Sequence, residues 1–252
     1  MKEGQERKRA RGLDRAFDIL DHLRAVRRPM RPADIAQTLG APKSTVYDLV
    51  GSLIEHGMLE AVGRDGEVYL GRRLYFLGLA YLDQFDLTRE AGAILSEITE
   101  ATRETSQFCM LDGDKYTVAL MQEGQRPFRI SADVGERTAI PWTASGVLLL
   151  GHMSDAEILD LIPPGDFTLP DGSRQAPASF IAAVRAAHAE GFFSFDSVVD
   201  SFTHCFAAAV RDRQGRCVAT LCIVAPKADA MQHHAQYRDV LLRAAEKLSR
   251  LV

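Results

Sequence analysis

Lys43, Ser44, Thr45, Tyr47 and Asp48 put a cation, two hydroxyls, a phenol and a carboxylate at the start of one helical pattern. That set suits a DNA groove. An ammonium pairs with phosphate, hydroxyls hydrogen-bond phosphate or base edges, and a carboxylate accepts from cytosine N4. The pattern itself is carried by Val46, Leu49, Val50, Leu53 and Ile54, an apolar stripe at i, i+3, i+4, i+7 and i+8. It turns Lys43, Ser44, Tyr47, Asp48, Gly51 and Glu55 to the other side. The helix N-terminus adds N–H donors and a dipole that favour phosphate. The rival reading is that Ser44 or Thr45 only caps the helix. Arg31, before the preceding helix, is a candidate backbone clamp or an ordinary solvated arginine. Arg64, in a later turn, is a candidate minor-groove contact or a plain turn residue.

These residues need a scaffold, and the neighbouring sequence supplies one. Pro32 to Leu39 reads as a helix that meets the first across a tight Gly40-Ala41-Pro42 turn, the pattern of a helix-turn-helix. Leu13, Ala16, Phe17, Leu20 and Leu23 predict an earlier helix. Gly57 fits the position just past the second motif helix. Leu59–Val62 and Glu67–Leu70 flank Gly63-Arg64-Asp65-Gly66 and read as a β-hairpin. The expectation is a mostly α winged helix-turn-helix over 13–72, preceded by a disordered basic tail over 1–12. A linker helix over 73–86 follows, its Leu74, Leu77, Tyr81, Leu82 and Phe85 packing on a second subunit or on its own wing.

From 87 to 252 the pattern is mixed, predicting a second, α+β domain with an antiparallel sheet. Helices are expected over 87–104, 146–152, 155–162, 178–190 and 232–252. Strands are expected at Phe108–Asp112, Tyr116–Gln122, Phe128–Ala132, Cys205–Arg211 and Cys217–Val224. Phe108, Met110 and Phe206 read as core.

Bulk properties narrow the function. The 252 residues are 46% hydrophobic and 25% charged, ordinary for a soluble globular chain. The net charge of −4 is split: residues 1–73 carry 14 Lys and Arg against 11 Asp and Glu, so they are +3 and the remainder is −7. Phosphate attraction acts within a Debye length of about 10 Å, so an acidic second domain does not oppose a basic first one. No apolar run approaches the roughly 20 residues of a membrane span, and no secretory signal is visible. A cytoplasmic protein with reduced thiols is expected. Cys217 and Cys222 lack a second pair or a nearby His, so no metal is expected. His204 and Cys205 are adjacent on a strand and point to opposite faces, which removes them as a nucleophile–base pair. No Gly-rich phosphate loop or Gly-x-Ser-x-Gly appears; neither an enzyme nor a cofactor is expected. Cys109, Cys205 or Cys222 could instead sense oxidants.

Taken in order, Leu13-Asp14-Arg15-Ala16-Phe17-Asp18-Ile19-Leu20, Pro42-Lys43-Ser44-Thr45, Gly57-Met58-Leu59-Glu60, Tyr69-Leu70-Gly71, Pro141-Trp142-Thr143-Ala144-Ser145-Gly146 and Ala207–Asp212 with Ala225-Pro226 make the chain resemble the IclR family of bacterial transcriptional regulators. The resemblance implies a winged helix, a linker helix and a GAF-like effector domain, in dimers or tetramers that respond to small metabolites. Two departures stand out. Asp48 occupies a position where the family usually carries a basic residue, and Leu148-Leu149 replace a common Gly-Lys.

The resemblance also implies an effector pocket between the sheet and the loop after residue 140. Ser145 and the N–H groups of Gly146 and Val147 match the positions that hold a ligand carboxylate, in keeping with anion binding at a helix start. Cys205, Cys222 and Val224 match inward strand positions, and Asp196, to within one residue, a polar pocket position. Ile140 and Arg129 match apolar positions; Arg129 is a further departure whose guanidinium could pair with a carboxylate or sit exposed on a strand. Trp142 could wall an aromatic ligand or pack as core. The resulting expectation is a repressor of a catabolic operon, bound to double-stranded operator DNA as a homodimer or homotetramer and controlled by a small organic acid, an aromatic one being an option that Trp142 offers. An activator of the same family, or a cysteine-based redox sensor or enzyme on the second half, are the alternatives.

Overall fold

The computed structural model describes residues 2–63, 65–84, 86–127 and 133–252, with side chains from residue 12 onward apart from 81–86 and 88. Arg64, Arg129 and the strand expected at 128–132 lie outside the described residues. The chain forms two compact units, Met1–Gln84 and Phe85–Val252.

The first unit is built from α1 (Lys2–Val26), α2 (Pro32–Thr38), α3 (Lys43–Glu55), the strands β1 (Leu59–Val62) and β2 (Glu67–Leu70), and α4 (Arg72–Gln84). The tail expected over 1–12 is helical backbone continuous with α1 from Lys2. Residues 2–11 are mostly Lys, Glu, Gln, Arg and Ala, all good helix formers, and the first proline is Pro29. The buried face of α1 is also rotated from the expected stripe. Ile19 and Leu23 are fully buried, whereas Leu13 and Phe17 are 58% and 53% exposed. Ile19 and Leu23 pack with Met30, Ile35, Ala36, Val46, Val50, Leu59 and Val68 in one small core.

The ends of α2 and α3 close in the same way. Ala41 N–H donates to Ala36 and Gly40 N–H to Gln37; Met58 N–H donates to Leu53 and Gly57 N–H to Ile54. Gly40 (φ 61°) and Gly57 (φ 69°) are left-handed, so both helices end in the glycine-dependent motif that satisfies their last carbonyls. The hairpin register pairs Leu59 with Leu70 and Val62 with Glu67, and Met30 adds a bridge to Val68.

The second unit runs α5 (Asp86–Thr102), β3 (Thr105–Asp112), β4 (Lys115–Gln122), β5 (Arg137–Ala139), α6 (Ala144–Leu149), α7 (Asp155–Leu161), α8 (Pro177–Glu190), β6 (Phe192–Asp196), β7 (Thr203–Arg211), β8 (Cys217–Pro226) and α9 (Lys227–Ser249). Six strands make one sheet in the order β5-β4-β3-β8-β7-β6, every pair antiparallel. The unit is therefore α+β with an antiparallel sheet.

Strand alternation sorts the sheet into two faces. Phe108, Phe206, Ala208, Val210, Leu221 and Ile223 form one cluster with α5 and α9. Cys109, Ala207, Ala209 and Cys222 belong to a second cluster with Ile140 and residues of α6, α7 and α8. Phe108 and Phe206 are fully buried, each contributing about 1.5–3 kcal/mol, and Met110 packs partly buried against the same cluster.

Candidate functional site

The start of α3 is open to solvent. Lys43, Ser44, Tyr47 and Asp48 are exposed and Thr45 is half-buried, while Val46 beneath them is fully buried. The N-cap of α3 is Pro42, with no side-chain cap hydrogen bond, so neither Ser44 nor Thr45 caps the helix. Tyr47 is 53% exposed. Arg31 is the exposed N-cap residue of α2 and makes no side-chain cap bond. At the base of the hairpin, Arg72 Nε donates to Glu60 Oε1 at 2.9 Å. The backbone N–H and guanidinium of Arg72 hold the Glu60 carboxyl below its ordinary range.

In the second unit the sheet face beneath α6 is small and polar. Three cross-strand rows run over it: Cys205, Val224 and Thr105; Ala207, Cys222 and Gln107; Ala209, Thr220 and Cys109. Ser145 Oγ lies 2.8 Å from Cys222 Sγ and accepts from Thr220 Oγ1 at 2.8 Å. Cys109 Sγ is 3.1 Å from the Tyr116 hydroxyl, which donates to Gln107 Oε1 at 3.4 Å. Burial pushes the Cys205 thiol up to about 12, with Cys222 nearby adding to it. Burial likewise pushes Tyr116 well above its ordinary value. Cys205 and Tyr116 are therefore neutral groups on this face.

Ile140 is fully buried, and its carbonyl stands so close to Gly146 that an added Cβ would collide with it. Gly146 is required there for the approach of α6. Its N–H donates to Thr143 Oγ1 at 2.9 Å, capping α6; an anion using that N–H has to displace the Thr143 hydroxyl. Ser145, Gly146 and Val147 are all buried. Trp142 Nε1 donates to the Asp166 carbonyl at 2.9 Å, so its polar edge is used to tether the 164–167 turn.

The structure brings Ser145, Cys222, Ile140, Val147 and Cys205 into one neighbourhood. It does not bring Asp196 there. Asp196 pairs across β6–β7 with His204, its Oδ1 accepting from His204 Nδ1 at 2.8 Å and its Oδ2 from Lys227 Nζ at 2.8 Å. Phe195, opposite Cys205, holds the place on the other face. A one-residue offset on a strand exchanges faces, and the expectation placed Asp196 only to within one residue. Thr220, Gln107, Cys109 and Tyr116 were not among the expected site residues. The signal that could have found them is period two: Thr220 is two residues from Cys222, and Gln107 and Cys109 flank the core residue Phe108.

Among the described residues no helix is long and apolar enough to cross a membrane. Two family models match the chain: the IclR helix-turn-helix domain over residues 12–63 and the bacterial transcriptional regulator IclR C-terminal domain over residues 79–250. The chain is 25% identical over 241 residues to the HTH-type transcriptional regulator XynR of Escherichia coli (strain K12), covering 94% of this chain and 95% of that one. Its fold is similar to the crystal structure of a putative IclR transcriptional regulator from Silicibacter sp. TM1040, with a TM-score of 0.85, 19% identity, and coverage of 95% and 96%. It is also similar to an IclR homolog from Microbacterium hydrocarbonoxydans complexed with 4-hydroxybenzoate, with a TM-score of 0.78, 23% identity, and coverage of 95% and 98%.

Proposed function

Because the chain belongs to the IclR family of bacterial transcriptional regulators, we propose that it is a cytoplasmic repressor whose hold on operator DNA is set by a small organic acid. The observation that carries the DNA half is the exposed Lys43, Ser44, Tyr47 and Asp48 ridge on a well-packed α3. Lys43 contacts phosphate, and Ser44, Thr45, Tyr47 and Asp48 reach base edges or sugar–phosphate. Arg31 clamps the backbone beside α2, and Arg64 at the wing tip reaches the minor groove. Repression is the proposed sign because it needs only occupancy of promoter DNA, without a further surface for polymerase.

One such helix reads too few base pairs for operator specificity, so paired half-sites and an oligomer follow. The first unit offers a face for it. Leu13 and Phe17 on α1, and Tyr75, Phe76 and Leu77 on α4, are each more than half exposed. A largely apolar groove of about 490 Å³, lined by Leu13, Ala16, Leu49, Leu53, Met58 and Leu77, runs along the same elements. An exposed apolar surface of this kind marks an interaction site, and a second copy is the proposed occupant.

The effector half rests on the polar floor under α6. Ser145 and Thr220 supply hydroxyls, Cys205, Cys222 and Val224 the strand wall, Ile140 and Val147 the apolar side, and Arg129 is the proposed carboxylate partner. An aromatic acid is the proposed ligand class, in line with the relative solved with 4-hydroxybenzoate. Regulation requires that the acid bind two arrangements of the protein unequally, with a coupling of about 1–3 kcal/mol.

The test is a gel shift on the DNA upstream of the chain's own reading frame, titrated with salt and with 4-hydroxybenzoate and related acids. Sequence-selective, salt-sensitive binding that weakens with one acid is the expected result. Binding indifferent to sequence removes the operator reading; selective binding unmoved by any acid removes the effector reading.

A further inference from the structure

Cys109 on β3 and Cys222 on β8 are diagonal neighbours on one face of the sheet, since Gln107 stands opposite Cys222 and Cys109 opposite Thr220. Their sulfurs are 3.8 Å apart, and both side chains are buried. The surroundings differ. Cys222 has the Ser145 hydroxyl at 2.8 Å and the Thr220 hydroxyl at 3.7 Å; Cys109 has the Tyr116 hydroxyl at 3.1 Å. We propose that Cys109 and Cys222 form a reversible disulfide when the protein meets a peroxide, and that this bond regulates the effector site.

The Ser145 hydroxyl, donating at 2.8 Å, favours the thiolate at Cys222, the nucleophilic form. Burial opposes ionisation of both groups. At Cys222 the Ser145 hydroxyl, whose oxygen already accepts from Thr220, has its own hydrogen left to donate to the sulfur and opposes that burial, whereas at Cys109 burial and the adjacent sulfur push the thiol well up. Cys222 is therefore the attacking sulfur and Cys109 the resolving one. The Cys222 thiolate attacks one peroxide oxygen; the S–O bond forms as the O–O bond breaks, and the second oxygen leaves as alcohol, or as water from hydrogen peroxide, with the Cys222 proton. Cys109 then attacks the sulfenic sulfur; the S–S bond forms, the S–O bond breaks, and hydroxyl leaves as water with the Cys109 proton. Two thiols and one peroxide give one disulfide, one alcohol or water, and one water. The two electrons end on the peroxide oxygens.

Closing the bond brings the sulfurs from 3.8 Å to about 2.05 Å. Cys222 has to leave its position against Ser145, at the first turn of α6. Losing that contact favours the reduced form, which suits a reversible switch. Because both sulfurs are buried, the oxidant enters only when the unit opens, so a ligand that holds α6 down slows the reaction.

The chemical half of this proposal is independent of the proposed function; the regulatory half rests on it. The experiment uses the full-length reduced protein, exposed to hydrogen peroxide and then blocked with a thiol alkylating agent in denaturant. Expected is a chain that takes two alkyl groups where the reduced control takes four, a Cys109–Cys222 cross-linked peptide, reversal by dithiothreitol, and loss of the cross-link in C109S and C222S but not in C205S or C217S. All four cysteines alkylated after oxidation, or a cross-link through Cys205 or Cys217, overturns the pair. Gel shifts with reduced and oxidised protein then test the regulation. A cross-linked protein whose response to the acid equals that of the reduced form overturns the regulatory half, whereas absence of selective DNA binding by the reduced protein is a failure of the proposed function instead.

Discussion

Asp196 and His204 face each other across β6 and β7, with the carboxylate Oδ1 2.8 Å from the imidazole Nδ1. The pair sits on the α9 side of the sheet, where His204 lies against Phe206 with ring centroids 4.7 Å apart, while Cys205 between them turns to the opposite cluster. Asp196→Asn is therefore expected to leave effector affinity unchanged; a tenfold loss measured by calorimetry would return Asp196 to the site. Lys227 first, and His204 second, hold the Asp196 carboxyl below its ordinary range. A depressed carboxylate stabilises the fold above the unfolded value of about 3.9 and loses that contribution as pH falls through the folded value. The Tm gap between wild type and Asp196→Asn is expected to stay constant down to about pH 5 and to close below about pH 4.

Lys43→Ala removes a phosphate partner without touching the core under Val46. Operator affinity is expected to fall about equally for matched and mismatched DNA, and the slope of log K against log salt to drop by about 1. An unchanged slope excludes Lys43 from the phosphate contacts. Ser44→Ala and Asp48→Ala, if these side chains read bases, change the matched-to-mismatched ratio instead, by about 1–3 kcal/mol per pair.

Gly146→Ala drives a methyl group into the Ile140 carbonyl. Overpacking of this kind costs about 1–3 kcal/mol, read as a lower urea midpoint for the second unit and a loss of ligand-induced thermal shift. Gly51→Ala is the contrast: it lies within α3 with nothing within 4 Å of the added carbon. It is expected to stabilise the first unit by roughly 0.5–1 kcal/mol.

Arg126 ties the chain after β4 to α9. It bonds Glu104 Oε1 at 2.8 Å and Asp229 Oδ1 at 3.0 Å, and Tyr237 donates to the same Glu104 oxygen at 3.0 Å. Glu104 is 2% exposed. Arg126→Met strands that carboxylate and is expected to cost about 2–3 kcal/mol, less than a fully buried pair because the guanidinium is partly solvated. Adding Glu104→Gln should recover most of the loss in denaturant titrations; no recovery would mean that Arg126 acts through packing.

The local rules of the chain were enough for the first unit. Both strands of the hairpin, the start of α3 at Lys43 and the glycine ends at 40 and 57 follow from apolar spacing and from backbone angles that glycine tolerates. Periodicity alone did not set the phase of α1. Ile19 and Leu23 are chosen for the core over Leu13 and Phe17 by what α2, α3 and the hairpin present to them, and such contacts are non-local. In the second unit the sequence determined strand identity at β3, β4, β7 and β8 and the outward or inward sense of Phe108 and Phe206. It did not reveal β6, whose Phe-Phe-Ser-Phe-Asp run follows α8 directly across Gly191. Nor did it place Ser145 against Cys222 and Thr220, or pair Cys109 with Cys222. Those contacts join residues 75, 77 and 113 positions apart. Alternation tells which face a residue takes, but only the register of β3 on β8 and the seating of α6 decide which of those residues meet.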